Sequence, residues 1–446
     1  MDTIVAFAVF LAAILFCLVK GFSLAWALIV AFLAFFCMGL KRGYRVQALW
    51  EMAKKNEPKA MIVVRVLCYI GLLTGLWRSS GTISYFIYYG IRIISPTMFI
   101  LIAFLLSLLL SYAFGTSFGA ASTAGVVLMA LARAGGVNEA VTAGAIMSGI
   151  YFGDRGSPVS SCASLVAALT ETDLYGNVKR MLKTAVLPLA LSFGVYFLLS
   201  RANPITVIDE ELLTLLKESF GVSAWMLLPA AIMLVLPLFK VPIRHAMAIS
   251  VGAAFVLTVT MQGIPVLQAL KTAILGYQPQ NAAITKIMSG GGFISMLPTM
   301  VMNIFAAACT GLLEGMGLLE NLRGRLAAMR AKIGLLPTLT VSGTLIIMCV
   351  CNQTISIMIA HQLMGSIYAK EGKEHEEFAM DIANSIVVIA GLVPWSIACS
   401  VPLSMLNIGI SALPYACYLY LIPICYLFTK KFFFPAKTVN SEANIK

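Results

Sequence analysis

Long apolar runs set the first limit on what this chain can become. Residues 3–19, 23–40, 97–114, 182–199 and 334–351 each approach the length that carries an α-helix across the hydrocarbon core of a bilayer. The charges cluster between such runs. Charged residues are 11% of the chain and hydrophobic ones 60%, whereas soluble domains are about 25% charged. A β-barrel would show short alternating segments instead. The sequence therefore predicts an all-α, polytopic integral membrane protein with about a dozen transmembrane helices. No cleavable signal peptide is evident, because the first apolar run leads straight into further membrane segments.

The formal net charge of +12 does not imply nucleic acid. Lys and Arg concentrate in inter-helix loops such as 41–59, the positive-inside bias. This puts the N-terminus in the cytoplasm, and the basic end Thr429-Lys430-Lys431 does the same for the C-terminus. An amphipathic surface helix fits the 41–59 loop. The ten cysteines lie singly, mostly in apolar runs, and read as small packing residues. Five regions are expected: two N-terminal helices and the basic loop over 1–60, a first transporter repeat over 61–200, a linker with connecting helices over 201–292, a second repeat over 293–432, and a cytoplasmic tail over 433–446.

The stretch Ser111–Asp173 keeps breaking the pattern of a plain span. Gly115-Thr116-Ser117 interrupts an apolar run, 119–133 is rich in small residues and reads as half-crossing, and Asp154-Arg155-Gly156-Ser157-Pro158 places charge, glycine and proline at membrane depth. Unpaired backbone in hydrocarbon costs several kcal/mol per group, so a broken helix survives only inside protein or beside a wet cavity. In transporters such breaks hold the binding site. Small residues also serve helix packing, so the packing reading stands beside the binding one.

The two halves line up at one shift. Thr74-Gly75-Leu76 matches Thr310-Gly311-Leu312 (310 − 74 = 236), Thr116 matches Asn352, and Pro158 with Ser160 matches Pro394 with Ser396. Such repeats, in inverted topology, build secondary transporters whose broken or re-entrant helices meet near the midplane. The expected substrate- or ion-binding set is Thr116, Ser117, Asp154, Ser157, Ser161, Asn352, Gln353, Asn384, Trp395 and Ser396. Any single hydroxyl or amide among them could instead be a packing hydrogen bond.

Asp154 is the sharpest residue. A carboxylate at membrane depth is by default a functional-site hypothesis with a partner. It could trade a proton for a cation, or pair structurally with Arg155 or a helix end. Glu314 and His361 are the other candidates for proton coupling. Glu314 could equally be the polar end of a span, and His361 a hydrogen-bonded structural residue. The sequence shows no phosphate-cradling P-loop, no HExxH, no paired Cys/His spacing and no nucleophile elbow, so no enzyme, resident metal or cofactor is expected.

These motifs resemble those of the NhaC family of sodium/proton antiporters, within the larger ion-transporter superfamily. Tyr151-Phe152-Gly153-Asp154-Arg155-Gly156-Ser157-Pro158 resembles the family's YFGD(K/R)xSP, and Gly115-Thr116-Ser117-Phe118-Gly119 its GTSWG. Gly311-Leu312-Leu313-Glu314 resembles G(I/L)LE, and Leu392-Val393-Pro394-Trp395 resembles LIPW. The resemblance spans about Leu72 to Phe432. It implies a sodium(cation)/proton antiporter in the plasma membrane that works by alternating access. Some relatives couple such exchange to organic acids such as malate and lactate.

Four acidic positions of the family pattern are neutral here: Ser161, Asn352, Ala383 and Asn384. A hard cation prefers charged oxygen ligands. The alternative is thus a proton- or sodium-coupled carrier of a small organic solute, an amino acid or a carboxylate, on the same fold. A channel or a non-transporting receptor is the reading from another class. Expected partners are the lipid bilayer and the transported cation and proton, or the organic solute, with no nucleic acid; a homo-oligomer is compatible.

Overall fold

The computed structural model describes residues 2–205, 210–239, 241–318 and 323–434. Asp209, in the acidic part of the 201–292 region, and the tail from 435 onward lie outside the described residues. The described chain is helical from end to end, and its one β-bridge joins Tyr277 to Gly290. Seven helices are long and apolar enough to cross a membrane, among them Leu24–Lys41, Pro96–Phe114, Leu174–Ala202 and Phe293–Gly315. An eighth crossing forms if Leu213–Phe220 and Ala224–Leu238, bent by 95°, act as one broken span. Val5–Cys17, Val266–Leu275 and Leu335–Val350 are shorter apolar helices. This is a polytopic all-α membrane protein.

The amphipathic helix expected in the basic loop is Val46–Lys54. It buries Leu49 and Ala53 and leaves Val46 and Trp50 exposed. Stretch 119–133, read from sequence as half-crossing, lies within Ser117–Ala134, which is eighteen residues long and apolar enough to span. Its small polar residues do not stop it. Ala121–Gly125 is a π-helical turn, and the Ser122 and Thr123 hydroxyls donate back to the Gly119 carbonyl at 3.1 and 2.8 Å. A π-turn absorbs an extra residue without ending the helix.

The centre of the molecule is Glu139–Gly156. Every residue from Val141 to Gly156 is buried, so this helix can afford the Ser, Thr and Gly that a lipid-facing helix would not carry. It packs along Phe99–Phe114. Gly153 sets the approach, because a β-carbon there would lie 2.0 Å from the carbonyl carbon of Ser111. The Ser111 hydroxyl donates to the Gly149 carbonyl at 2.9 Å and accepts the Gly153 N–H at 3.0 Å. By contrast, Leu174–Ala202 leaves Leu182, Val186, Leu191, Phe193 and Leu198 uncovered, as suits a lipid-facing element.

The shift of 236 residues recurs in the helix boundaries. Phe99–Phe114 corresponds to Leu335–Val350 (335 − 99 = 236), and Ser161–Leu169 to Ile397–Met405. The helix ending at Ser79 matches the one ending at Gly315. Gly115 and Cys351 both close their helices in the left-handed region, at φ 65° and 59°. The chain then resumes as helix at Ser117 and Gln353. Packing across the repeats is reciprocal. The helix start at Ser117 touches Ile397–Met405, and the helix that starts at Gln353 touches Ser161–Leu169. A pseudo-two-fold axis therefore runs between the two breaks.

Candidate functional site

Each break creates the same problem twice: carbonyls left over where a helix stops and N–H groups left over where the next begins. At the second break the chain solves part of it locally. Asn352 Oδ1 accepts the Ile355 N–H at 3.1 Å, an N-cap. The Cys351 carbonyl is met by the Ile397 N–H at 2.9 Å. At the first break Thr116 makes no side-chain cap. Asp154 supplies the acceptor instead, with Oδ1 3.4 Å from the Ser117 N–H. Gln353 closes the arrangement from the other repeat. Its Nε2 donates to Asp154 Oδ2 at 3.2 Å and to the Val387 carbonyl at 2.7 Å, while its Oε1 accepts from Cys162 Sγ at 3.4 Å.

These groups enclose a cavity of about 150 Å³. Its walls include Thr116 and Ser117 from one break, Asn352, Gln353 and Thr354 from the other, and Asp154, Ser161 and Cys162 between them. Val63, Phe118, Ile397 and Ala398 supply the apolar part. Asp154 is the one carboxylate among these lining residues. The cavity has room for a small cation with a few waters. It is smaller than the 300–1,000 Å³ typical of sites for organic ligands. Two helices start at residues that line it, Ser117 and Gln353.

Six of the candidate residues thus share one cavity: Thr116, Ser117, Asp154, Ser161, Asn352 and Gln353. The other candidates lie elsewhere. The Ser157 hydroxyl donates to the Tyr112 carbonyl at 2.6 Å, tying down the unwound turn after Gly156. Ser396 caps Ile397–Met405 by accepting the Ala398 N–H at 3.3 Å. Trp395 donates from Nε1 to the Met348 carbonyl at 2.8 Å and meets Phe10 edge-on. Asn384 Oδ1 accepts from Arg155 and from Thr184. Arg155 is fully buried, and its other bond goes to the Met181 carbonyl. The structural pairing of Asp154 with Arg155 does not form, since the two adjacent side chains leave the helix in different directions. Glu314 pairs with Lys55 at 3.8 Å at the end of its helix, and His361 stacks on Phe378 at 5.4 Å.

One charged cluster escaped the sequence reading. Asp381 is completely buried. It accepts from Tyr368 Oη at 2.5 Å and Tyr426 Oη at 3.0 Å, and pairs with Lys430 at 2.5 Å. Lys430 also reaches Glu377 at 2.8 Å. In sequence Lys430 belongs to a basic tail. The available signal was Asp381 itself, an acid inside an apolar span and four residues after Glu377.

Two broken helices related by a two-fold, meeting over one buried carboxylate in a polytopic helical protein, are the architecture of a secondary transporter. The comparisons agree. The sequence model of the Na+/H+ antiporter family matches residues 149–431. The chain belongs to the Na+/H+ antiporter family, NhaC type. It is 28% identical over 462 residues to the malate-2H(+)/Na(+)-lactate antiporter of Bacillus subtilis (strain 168), covering 99% of this chain and 97% of that one. It is 27% identical over 379 residues to the Na(+)/H(+) antiporter NhaC of the same organism, covering 83% of each chain. The arginine/ornithine antiporter ArcD of Halobacterium salinarum is 24% identical over 383 residues, covering 84% of this chain and 79% of that one.

Proposed function

We propose that this protein exchanges sodium, or another small monovalent cation, for protons by alternating access, with Asp154 as the ligand that both cargoes share. The observation that carries the reading is the cavity of about 150 Å³ in which one carboxylate stands among neutral oxygens. A carboxylate that holds a proton presents one fewer anionic oxygen to a cation, so each cargo expels the other. Thr116, Ser117, Ser161 and the amide oxygen of Asn352 complete the cation's shell, and the two repeats, inverted about the axis between the breaks, rock to expose it to either side. Gln353 holds the carboxylate in place when no cation is bound. The family relationship supports the same cargo, and the basic loops support a plasma-membrane location with both termini in the cytoplasm.

The test is transport in proteoliposomes carrying a pH-sensitive dye inside. An inward sodium gradient should drive protons out, and Asp154→Asn should abolish the exchange. Purified protein that folds but moves no protons against sodium, lithium or potassium would remove the assignment.

A further inference from the structure

Arg78 raises a separate question. It sits in the last turn of Glu57–Ser79 and is 6% exposed. Its Nη1 donates to the Thr74 carbonyl one turn back, at 2.7 Å. Its Nε is buried with no partner, and among the described residues no carboxylate pairs with it. Arg133 faces the same region, but its charge is spent on Glu139 at 2.8 Å and on the Leu406 and Asn407 carbonyls at 2.9 and 3.2 Å. Those bonds hold the 406–407 turn that walls the space in front of Arg78. One buried positive charge is left over, and an uncompensated buried ion is expensive.

That space is a cavity of about 340 Å³, lined by Thr74, Arg78, Ser295, Thr299, Ser404 and Asn407 among others. It is distinct from the Asp154 cavity, and it falls within the size range of small-molecule sites. It meets a second cavity of the same size through Thr299 and Ser404, whose hydroxyls bond each other at 2.7 Å. The helix Ile397–Met405 begins at the Asp154 cavity with Ile397 and Ala398 and ends here with Ser404 and Met405. Six residues of rise separate Ala398 from Ser404, roughly 9 Å along the axis.

We propose that this cavity is a binding site for a small organic carboxylate, with the Arg78 guanidinium as its anchor and the surrounding hydroxyls and the Asn407 amide as its rim. Guanidinium presents a planar fork that matches a carboxylate with two parallel hydrogen bonds. An anion there supplies the missing countercharge. The polar rim and the size suit an anion carrying a short, hydroxylated or charged body. The bond from Nη1 to Thr74 also serves the helix end, and a role confined to that end makes a different prediction.

The experiment follows the melting temperature of the purified full-length protein against acetate, lactate, succinate and chloride at constant ionic strength and sodium. Lactate or succinate should raise it in a saturable way, and chloride should not. Arg78→Gln should lose the response, and Arg78→Lys should keep it with an affinity lowered about tenfold. Asn407→Asp leaves Arg78 in place but adds a built-in carboxylate to the cavity. It should fold as the native chain does and bind the added carboxylate at least tenfold more weakly. A native chain whose melting point ignores every carboxylate would overturn the proposal. So would an equal response to chloride, or an undiminished response in folded Arg78→Gln.

Discussion

Replacing Asp154 by asparagine separates the transport chemistry from the architecture. Asparagine keeps an Oδ1 in the place where aspartate meets the Ser117 N–H at 3.4 Å, so the first break keeps its borrowed cap and the chain should fold. What is lost is the charge. At an effective dielectric of about 20, a unit charge 4 Å from a cation contributes about 4 kcal/mol, which is on the order of a thousandfold in sodium affinity. The pH dependence is the sharper readout. Where proton and sodium compete for one carboxylate, each pH unit below its titration raises the apparent sodium Kd about tenfold, equivalent to about 1.4 kcal/mol. Two competing carboxylates would allow about a hundredfold. The cavity holds one, so the limiting slope of log Kd against pH should be minus one, unity in magnitude.

If Asp154 is the ligand both cargoes share, as proposed, one carboxylate predicts one proton per sodium ion, hence electroneutral exchange. The assay is a sodium titration of melting temperature at a series of pH values, joined to proteoliposome transport with the membrane potential clamped by potassium and valinomycin. The native protein should show unit slope and no response to potential. Asp154→Asn should show weak sodium binding with a flat pH profile. A slope near minus two, exchange driven by potential alone, or an unchanged pH profile in Asp154→Asn would refute the single-carboxylate reasoning.

Two further outcomes concern stability. Gly115→Ala should be strongly destabilising: it puts a side chain at φ 65°, at a cost of about 1–2 kcal/mol, and a β-carbon 2.5 Å from the Val159 carbonyl carbon. An unchanged melting temperature would mean that the two segments do not meet as closely as described. Lys430→Met should cost about 3–5 kcal/mol by leaving the buried Asp381 without its cation, while Asp381→Asn combined with Lys430→Met should recover much of the loss. If the double variant is no more stable than Lys430→Met alone, the pair is not what holds the helices His375–Asn384 and Cys417–Phe433 together.

How much of this was legible in the sequence depends on the kind of signal. The fold class was legible, because apolar length is a one-dimensional property and a bilayer demands it. The repeat was legible from three landmarks, and the helix boundaries carry the same shift through elements whose sequences share little. The breaks at Thr116 and Asn352 were visible as polar residues where apolar ones belong, and they do face one cavity. Asn384, Trp395 and Ser396 looked equivalent to those residues but sit outside it. Period and composition give a residue's depth along a span; the neighbour it faces is settled by packing. Lys430 shows the converse: a lysine in a basic tail looks solvated until the fold turns its end towards Asp381.

The two halves also differ at the point where function would require it. Position 154 is aspartate, and its counterpart 236 residues later is Ala390. The second break is capped from within by Asn352, so it needs no acceptor from elsewhere. The first break lacks such a cap and takes it from Asp154. The same carboxylate thus satisfies a helix start and faces the cavity, and Gln353 ties it to the opposite repeat. A cation or proton that binds Asp154 draws on the same carboxylate charge and so weakens both ties. The tie to Gln353 is the one that crosses between repeats. Gln353→Leu should therefore leave the break itself intact but uncouple cargo binding from the rocking of the repeats. Sodium binding measured by melting temperature would survive within about tenfold, while exchange in proteoliposomes would fall far more. Parallel losses in binding and exchange would instead make Gln353 a simple ligand.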